Sequence, residues 1–505
     1  MNPHLARRVA VAALLLGILG DILFDRVALG VNMPIAIAAV LVVATMFRPA
    51  GTRTDRWDWW IPAVASLAAL GVALRADSVI AGLDLALAGV ATLAWMLCCS
   101  GIALTRRSVD VVIAAGAWAG AWLGIGGFVV AGRASSDGAL GRALGSSRGA
   151  LPVVRGMALA APVILVLAAL LASADVVFGR LVGDLVHLPI DLSDLAVRSV
   201  VVLAIAWLAA GALSIAAGAL PYRPAEPVGV ARSPGAAAGS RVGWLVLPGA
   251  TEALVVLVAV DVLFGAFVVV QVAYLFGGLG TVLGTGITYS DYAREGYFQL
   301  VAVVAVAGLL LAVAEAAARR SRTFFVAALG LIGLTFVILA SAAVRLGLYQ
   351  QIYGWTELRF YVAASMAWLT IGGIVLAVLV VRDRMRWLIH GLVLGAVAVA
   401  LVITAIGPQA FVTHMNLARA LDPTLVPPEG YSGLDASYMA GLGDDAIPEL
   451  VAAWPRLDAA SRDALRPALE TSARRLTLDP STTAWPAWNL ARERARAALD
   501  TLANP

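Results

Sequence analysis

Long apolar runs separated by short polar segments set the pattern of this chain. They lie at 9–24, 33–47, 59–75, 78–104, 109–132, 157–178, 196–219, 250–276, 297–314, 323–346, 358–381 and 387–406. A bilayer's hydrocarbon core is about 30 Å thick, and a helix of about 20 residues crosses it. Most of the runs reach that length, while the first two need flanking residues or local thinning to span. The runs are rich in Ala, Leu, Val and Gly without two-residue alternation, so helices are predicted and strands are not. Beyond Pro408 the pattern collapses. Residues 409–433 read as a linker, ending in the Pro/Gly-rich stretch LDPTLVPPEGYSG (421–433). Apolar positions then return at helical spacing: Tyr438, Met439 and Leu442, then Ile447, Leu450, Val451 and Trp454, then Leu465, Leu469 and Leu476. Asp444 and Asp458 stand where helix caps belong, and Arg474 and Arg475 suit a helix C-terminus.

The expected architecture is all-α: a polytopic transmembrane bundle over 1–408 with 11 or 12 spans, followed by a small extracytoplasmic helical domain over 434–505. A domain of about 75 ordered residues is marginal alone and is expected to lean on the bundle. Arg7 and Arg8 ahead of Val9–Leu19 resemble the start of a signal peptide. Asp21 and Asp25 fall where cleavage would occur and no small-x-small site follows, so this run reads as a retained span.

Charge fixes an orientation. All 36 basic side chains are arginine, since the 505 residues contain no lysine. Residues 1–408 hold 27 Arg against 20 acids, net +7, and residues 409–505 hold 9 Arg against 12 acids, net −3. Short cytoplasmic loops carry the positive excess of a membrane protein. The loops at 133–155, 221–241, 319–322 and 382–386 are arginine-rich, whereas 179–195, 277–296 and 347–357 are not, so the tail is expected outside. In the front half, Arg7 and Arg8, then Arg48, Arg53 and Arg56, then Arg106 and Arg107 all favour the cytoplasm. That pattern requires 109–132, with Trp118 and Trp122 one turn apart, to lie in the interface or re-enter: eleven crossings with the N-terminus inside. The alternative is twelve with it outside. The expected location is a bacterial inner membrane.

Composition removes several chemistries. Without lysine there is no P-loop lysine, Schiff base or Ser-Lys dyad. The cysteines are the adjacent pair Cys98 and Cys99 in an apolar run, too few for a metal site. No cofactor or metal is expected, and the basic balance belongs to the loops of a membrane bundle, with no nucleic-acid partner implied.

One set of segments carries a resemblance: LLASADVVFGRL (171–182), VVVQVAYLFGG (268–278), YAREGYFQLVAV (292–303), FVILASAAVRLGLYQQIYGWTELRFY (336–361), HMNLARALD (414–422), LDASYMAGLGDDAIPELV (434–451) and WPAWNLARERARAAL (485–499), with a weaker echo at 16–34. In this order they resemble a bacterial family of multi-pass membrane proteins, domain of unknown function 4173, to which family 4153 is related. The resemblance implies an architecture and brings no activity, cofactor or substrate with it.

Ionisable groups inside a bilayer cost a few kcal/mol unless paired or hydrated, which makes them candidates for function. Asp21, Asp84, Asp175 and Asp261 qualify, and Asp84 and Asp261 lie deepest. Asp21, Asp175 and Asp261 each precede a Phe by three residues, a hint of repetition that so few fixed positions leave at the level of chance. A richer cluster is expected at the outer face. Asp291, Arg294, Glu295 and Tyr297 lie at one outer loop, and Arg345, Tyr349, Tyr353, Glu357 and Arg359 crowd the next. Aromatic rings with paired charges suit a sugar, a lipid headgroup or a peptide, and equally an interfacial aromatic belt. In the tail, Asn416-Leu-Ala-Arg419 returns as Asn489-Leu-Ala-Arg492, and both asparagines read as helix caps.

Two functions compete. One is a non-enzymatic transporter-like or sensory/scaffold bundle in contact with the lipid bilayer and with an envelope protein or lipid-linked ligand at the outer face. The other is a membrane-embedded transferase acting on a lipid-linked substrate at that face, with Asp21 and Asp25 as base and metal ligand. The loop at 25–32 is short for that chemistry.

Overall fold

The structure, a computed structural model, describes residues 1–106, 109–134, 192–221, 250–276, 322–382, 384, 387–428 and 430–503. Within these the chain is an all-α polytopic bundle with no strand. The membrane-range helices are α1 (Pro3–Phe24), α2 (Asn32–Met46), α3 (Trp60–Leu74), α4 (Ser78–Cys99), α5 (Val109–Ala134), α6 (Leu192–Ala216), α7 (Ala250–Phe276), α8 (Arg322–Tyr353), α9 (Glu357–Val381) and α10 (Leu388–Ile406). Each coincides with an apolar run, because the run ends where burial in hydrocarbon stops being favourable. The first two spans recruit flanking residues unequally: α1 extends back to Pro3, whereas α2 stops at 15 residues, about 22 Å. The runs at 157–178 and 297–314 lie outside the described residues. Seven of the described helices are long and apolar enough to cross a membrane.

The tail continues with α11 (Pro408–Leu421), α12 (Ala436–Ala440), α13 (Ile447–Ala453), α14 (Ala459–Leu478), α15 (Pro480–Thr483) and α16 (Leu490–Ala503). Asp458 caps α14 as the spacing predicts, accepting from Ser461 N–H at 2.9 Å. Asp444 is no cap: it lies buried inside a 3₁₀ turn, 444–446, whose flanking residue is Gly443.

By contacts the chain forms two units, 1–226 with 473–493, and 227–472 with 494–505. In the first, small residues let α3 and α4 pack closely around Ala68, Ala69 and Ala88, with Ile37 of α2 against them. Its helices have two distinguishable ends. At one, the Arg8 guanidinium stands 5.9 Å from the Phe47 ring, and Thr105 donates to Asp58 through both its N–H (2.9 Å) and its hydroxyl (2.5 Å). At the other lie Leu23–Asn32, the α3–α4 turn and the tail segment 480–492. Exposed Trp57 and Trp59 mark the first end and exposed Trp485 and Trp488 the second, as interfacial tryptophans do. The α5 helix starts just after Arg106, and its last residue accepts from Arg7 Nε at 3.0 Å while Arg133 donates to Met1 O at 2.7 Å. Both ends of α5 therefore belong to the Met1 end, although Ala114–Ala134 has the length to cross.

The second unit has a core of α7, α8 and α9 built on Leu257, Phe264, Leu331, Ile338 and Met366. Between α10 and α11 the chain turns at Gly407, whose φ of 74° is one L side chains rarely adopt, and Pro408 then opens α11 with a preset φ. This turn carries the chain out of its last span and lays α11 beside the α8–α9 loop.

Candidate functional site

The α8–α9 loop is three residues long. Gly354 takes φ 77°, and a Cβ there would stand 2.6 Å from Asn416 Oδ1, so the position excludes any side chain. Trp355 follows, and Thr356 caps α9 through Arg359 N–H at 3.4 Å. The last carbonyls of α8 have no partner within the helix and must find one elsewhere. Residues of α11 supply it. Arg419, only 8% exposed, donates to Gln351 O at 2.5 Å, Ile352 O at 3.3 Å and Tyr431 O at 3.2 Å. Asn416 pairs with both backbone groups of Trp355, accepting from Trp355 N–H and donating to Trp355 O, both at 2.8 Å.

The expected charged residues join the same arrangement. The Arg359 guanidinium lies 4.1 Å over the Tyr349 ring and donates to Gly354 O, and Tyr349 meets Tyr353 edge-on at 5.0 Å. Glu357 donates its N–H to the Tyr438 hydroxyl at 2.9 Å and accepts from Gln409 Nε2 at 3.2 Å. Gln409 accepts in turn from Gly443 N–H at 3.1 Å. Burial, aided by the Arg359 charge, moves the Arg419 guanidinium below its ordinary range, and burial raises the Tyr438 phenol. Arg345 sits on α8 one turn before Tyr349. Asp291, Arg294, Glu295 and Tyr297 lie outside the described residues.

A second latch occupies the first unit. Asn489 caps α16 by accepting from Ala491 and Arg492 N–H (3.0 and 3.2 Å), while its amide donates to Val72 O at 2.9 Å and Arg75 O at 2.8 Å, the orphan end of α3. Arg492 donates to Leu29 O and to Ala487 O. Fully buried Asn32 shapes the α1–α2 loop from within, accepting from Gly30 N–H and donating to Leu23 O and Ala28 O. The expectation of two helix caps thus holds for Asn489 and fails for Asn416, which stands inside α11 with its amide turned to the loop. Sequence reasoning missed Asn32, Gln409 and Tyr438; the repeated Asn-Leu-Ala-Arg was the one available signal.

The membrane acids separate. Asp21, 8% exposed, is held by Arg198 at 2.7 Å, and Asp25 lies 3.6 Å from the same guanidinium. Asp84 is fully buried in α4 of the first unit, and Asp261 of the second unit lies against Gly330 on α8. Asp175 lies outside the described residues. Among the described residues no three His, Cys, Asp or Glu side chains could together hold a metal ion. Asn416 and Arg419 bind backbone groups, and this arrangement fixes a tail helix to the end of a membrane hairpin.

The family described as domain of unknown function 4153 matches residues 36–453, which takes in both α3–α4 and the whole Asn416 latch. The chain belongs to that family. Family 4153 is thus the one matched, and it stood second to 4173 in the sequence resemblance. No curated protein and no solved structure matches the chain. The family is one of unknown function, and the seven long apolar helices among the described residues are what fit the chain to an integral membrane protein.

Proposed function

We propose that this family 4153 protein is a non-enzymatic sensory or scaffold bundle whose tail, latched to two membrane hairpins, presents an aromatic and charged outer surface to an envelope protein or a lipid-linked ligand. The observation that carries this reading is the latch itself: Glu357, Arg359, Asn416 and Arg419 are bonded within the chain, as a brace requires. The transferase alternative needs Asp21 and Asp25 available to a substrate, and Arg198 engages both. A bacterial inner membrane with the N-terminus inside suits the arginine distribution. Tail residues in each unit bond to the loops that this distribution assigns to the outer face, and the shared end of both α5 termini favours eleven crossings.

The test uses vesicles of the purified chain containing a lipid-linked sugar. Turnover is expected to stay at the protein-free level; turnover that Asp21→Asn abolishes would transfer the protein to the transferase class. In intact cells, a photo-reactive residue at exposed Tyr431 should cross-link an envelope component, and Asn416→Leu should change the yield several-fold. No cross-link in either form would remove the scaffold reading.

A further inference from the structure

Below the latch, α9 and α10 diverge around a groove of about 390 Å³ whose lining is wholly hydrocarbon and aromatic. It extends along α9 from Phe360 to Ile371 and along α10 from Ala398 to Ile406. At 1.5 Å per residue the α9 wall is about 16 Å long, close to half of the ~30 Å hydrocarbon core. The groove therefore has the depth of one leaflet. Ala363 and Ala367 hollow out one wall, and on the other Val402 and Ile406 are 55% and 44% exposed, so the groove opens sideways. Its end at the membrane surface is roofed by Trp355 and Phe411, ring centroids 4.9 Å apart.

Water does not fill such a space, because a water molecule needs two to four polar partners and this lining offers none. An empty space forfeits the dispersion contacts of every wall atom. Hydrocarbon is what surrounds these spans, and one leaflet's depth fits one chain. We propose that the α9–α10 groove is a binding site for a single acyl chain of a membrane phospholipid. The chain would press on Trp355, whose backbone N–H and C=O Asn416 holds, so occupancy reaches the latch directly. The site would exist whether or not the tail has an envelope partner.

The experiment places the full chain in bilayers doped with a phospholipid carrying a diazirine in its acyl chain, or with a photo-reactive polyprenyl phosphate. Adducts are then located by mass spectrometry. Adducts of the phospholipid on 360–371 and 398–411 should exceed those on the similarly exposed Val393 of α10 and the more exposed Val90 of α4 by at least several-fold. Enrichment with the polyprenyl phosphate alone would overturn the assignment to an acyl chain. Ala367→Trp, a change at an exposed wall position, should abolish the enrichment and leave labelling of Val90 intact. Adducts spread evenly over all lipid-facing helices, or enrichment that survives both Ala367→Trp and Ala363→Phe, would overturn the proposal.

Discussion

The two Asn-Leu-Ala-Arg segments carry the same four residues and do related work from different positions. In the second unit the tetrapeptide lies inside α11, where the backbone is already satisfied and both ends of the Asn416 amide are available to the backbone N–H and C=O of one foreign residue, Trp355. In the first it opens α16. There Asn489 Oδ1 serves its own helix, and only the NH₂ group reaches the α3 carbonyls. What the two share is an amide and a guanidinium three residues apart, hence on one helix face. That pair supplies donors to a span's C-terminal carbonyls, where the chain leaves hydrocarbon and an unmet carbonyl is costly. The hairpins match as well: three-residue turns, 75–77 and 354–356, each ending in a residue that caps the next helix, Asp77 or Thr356. The lesson is that a short repeat can preserve a donor pattern while its secondary-structure register changes.

The largest difference between the latches should come from their arginines. Arg419→Leu strips donors from three backbone carbonyls, and Arg492→Leu from two. At about 1 kcal/mol net for each hydrogen bond, a loss of about 3 kcal/mol is expected for Arg419→Leu and about 2 kcal/mol for Arg492→Leu. Urea midpoints of the detergent-solubilised chain, read by proteolysis of the 421–433 segment and of the 478–489 segment, give the comparison. A larger loss at Arg492 would invert the ranking drawn from the bond pattern.

A smaller effect separates the asparagines. Asn489→Ser keeps a side-chain oxygen for the α16 cap and loses the reach to α3, so it should recover about 1 kcal/mol relative to Asn489→Leu. Asn416→Ser should recover nothing relative to Asn416→Leu, because α11 needs no cap there. Equal recovery at both positions would mean that Asn416 stabilises its own helix and leaves the loop to others.

These roles also mark the limit of what the chain's pattern discloses. Span edges were legible to within a few residues, as at α9 and α10, because hydrocarbon thickness imposes a length that hydropathy records directly. The density of charge around Glu357 and Arg359 rightly marked a special loop. Its partners were not legible, since Gln409 and Tyr438 lie 52 and 81 residues further on and nothing local announces a side chain that bonds across such a separation. Asn416 was misplaced for a related reason: a cap is the commonest use of asparagine near a helix start, and only the fold reveals that α11 begins eight residues earlier.

Acid should treat the two latches alike, and weakly. Each is flanked by an aspartate followed by proline and then a hydroxyl residue: Asp422-Pro423-Thr424 after the first, Asp479-Pro480-Ser481 before the second. Asp422 accepts from the Thr424 hydroxyl at 2.6 Å and its N–H at 3.0 Å, and Asp479 accepts from Ser481 N–H at 2.9 Å. The Thr424 hydroxyl bond in one and the Ser481 N–H bond in the other hold these carboxyls below the ordinary carboxylate range. A carboxyl depressed in the fold contributes stability above its unfolded pKa and loses it as pH falls through the folded value, so both turns should loosen only below about pH 4. Asp422 is exposed and Asp479 half-buried at the surface, so the change should be small and reduced further by salt. Proteolysis at the 422–424 and 479–481 turns, followed from pH 6 to pH 3, should rise in parallel. Asp422→Asn and Asp479→Asn should each remove the pH dependence at its own turn only. A dependence at 479–481 that survives Asp479→Asn would place the titrating group elsewhere in the first unit and end the symmetry between the two latches.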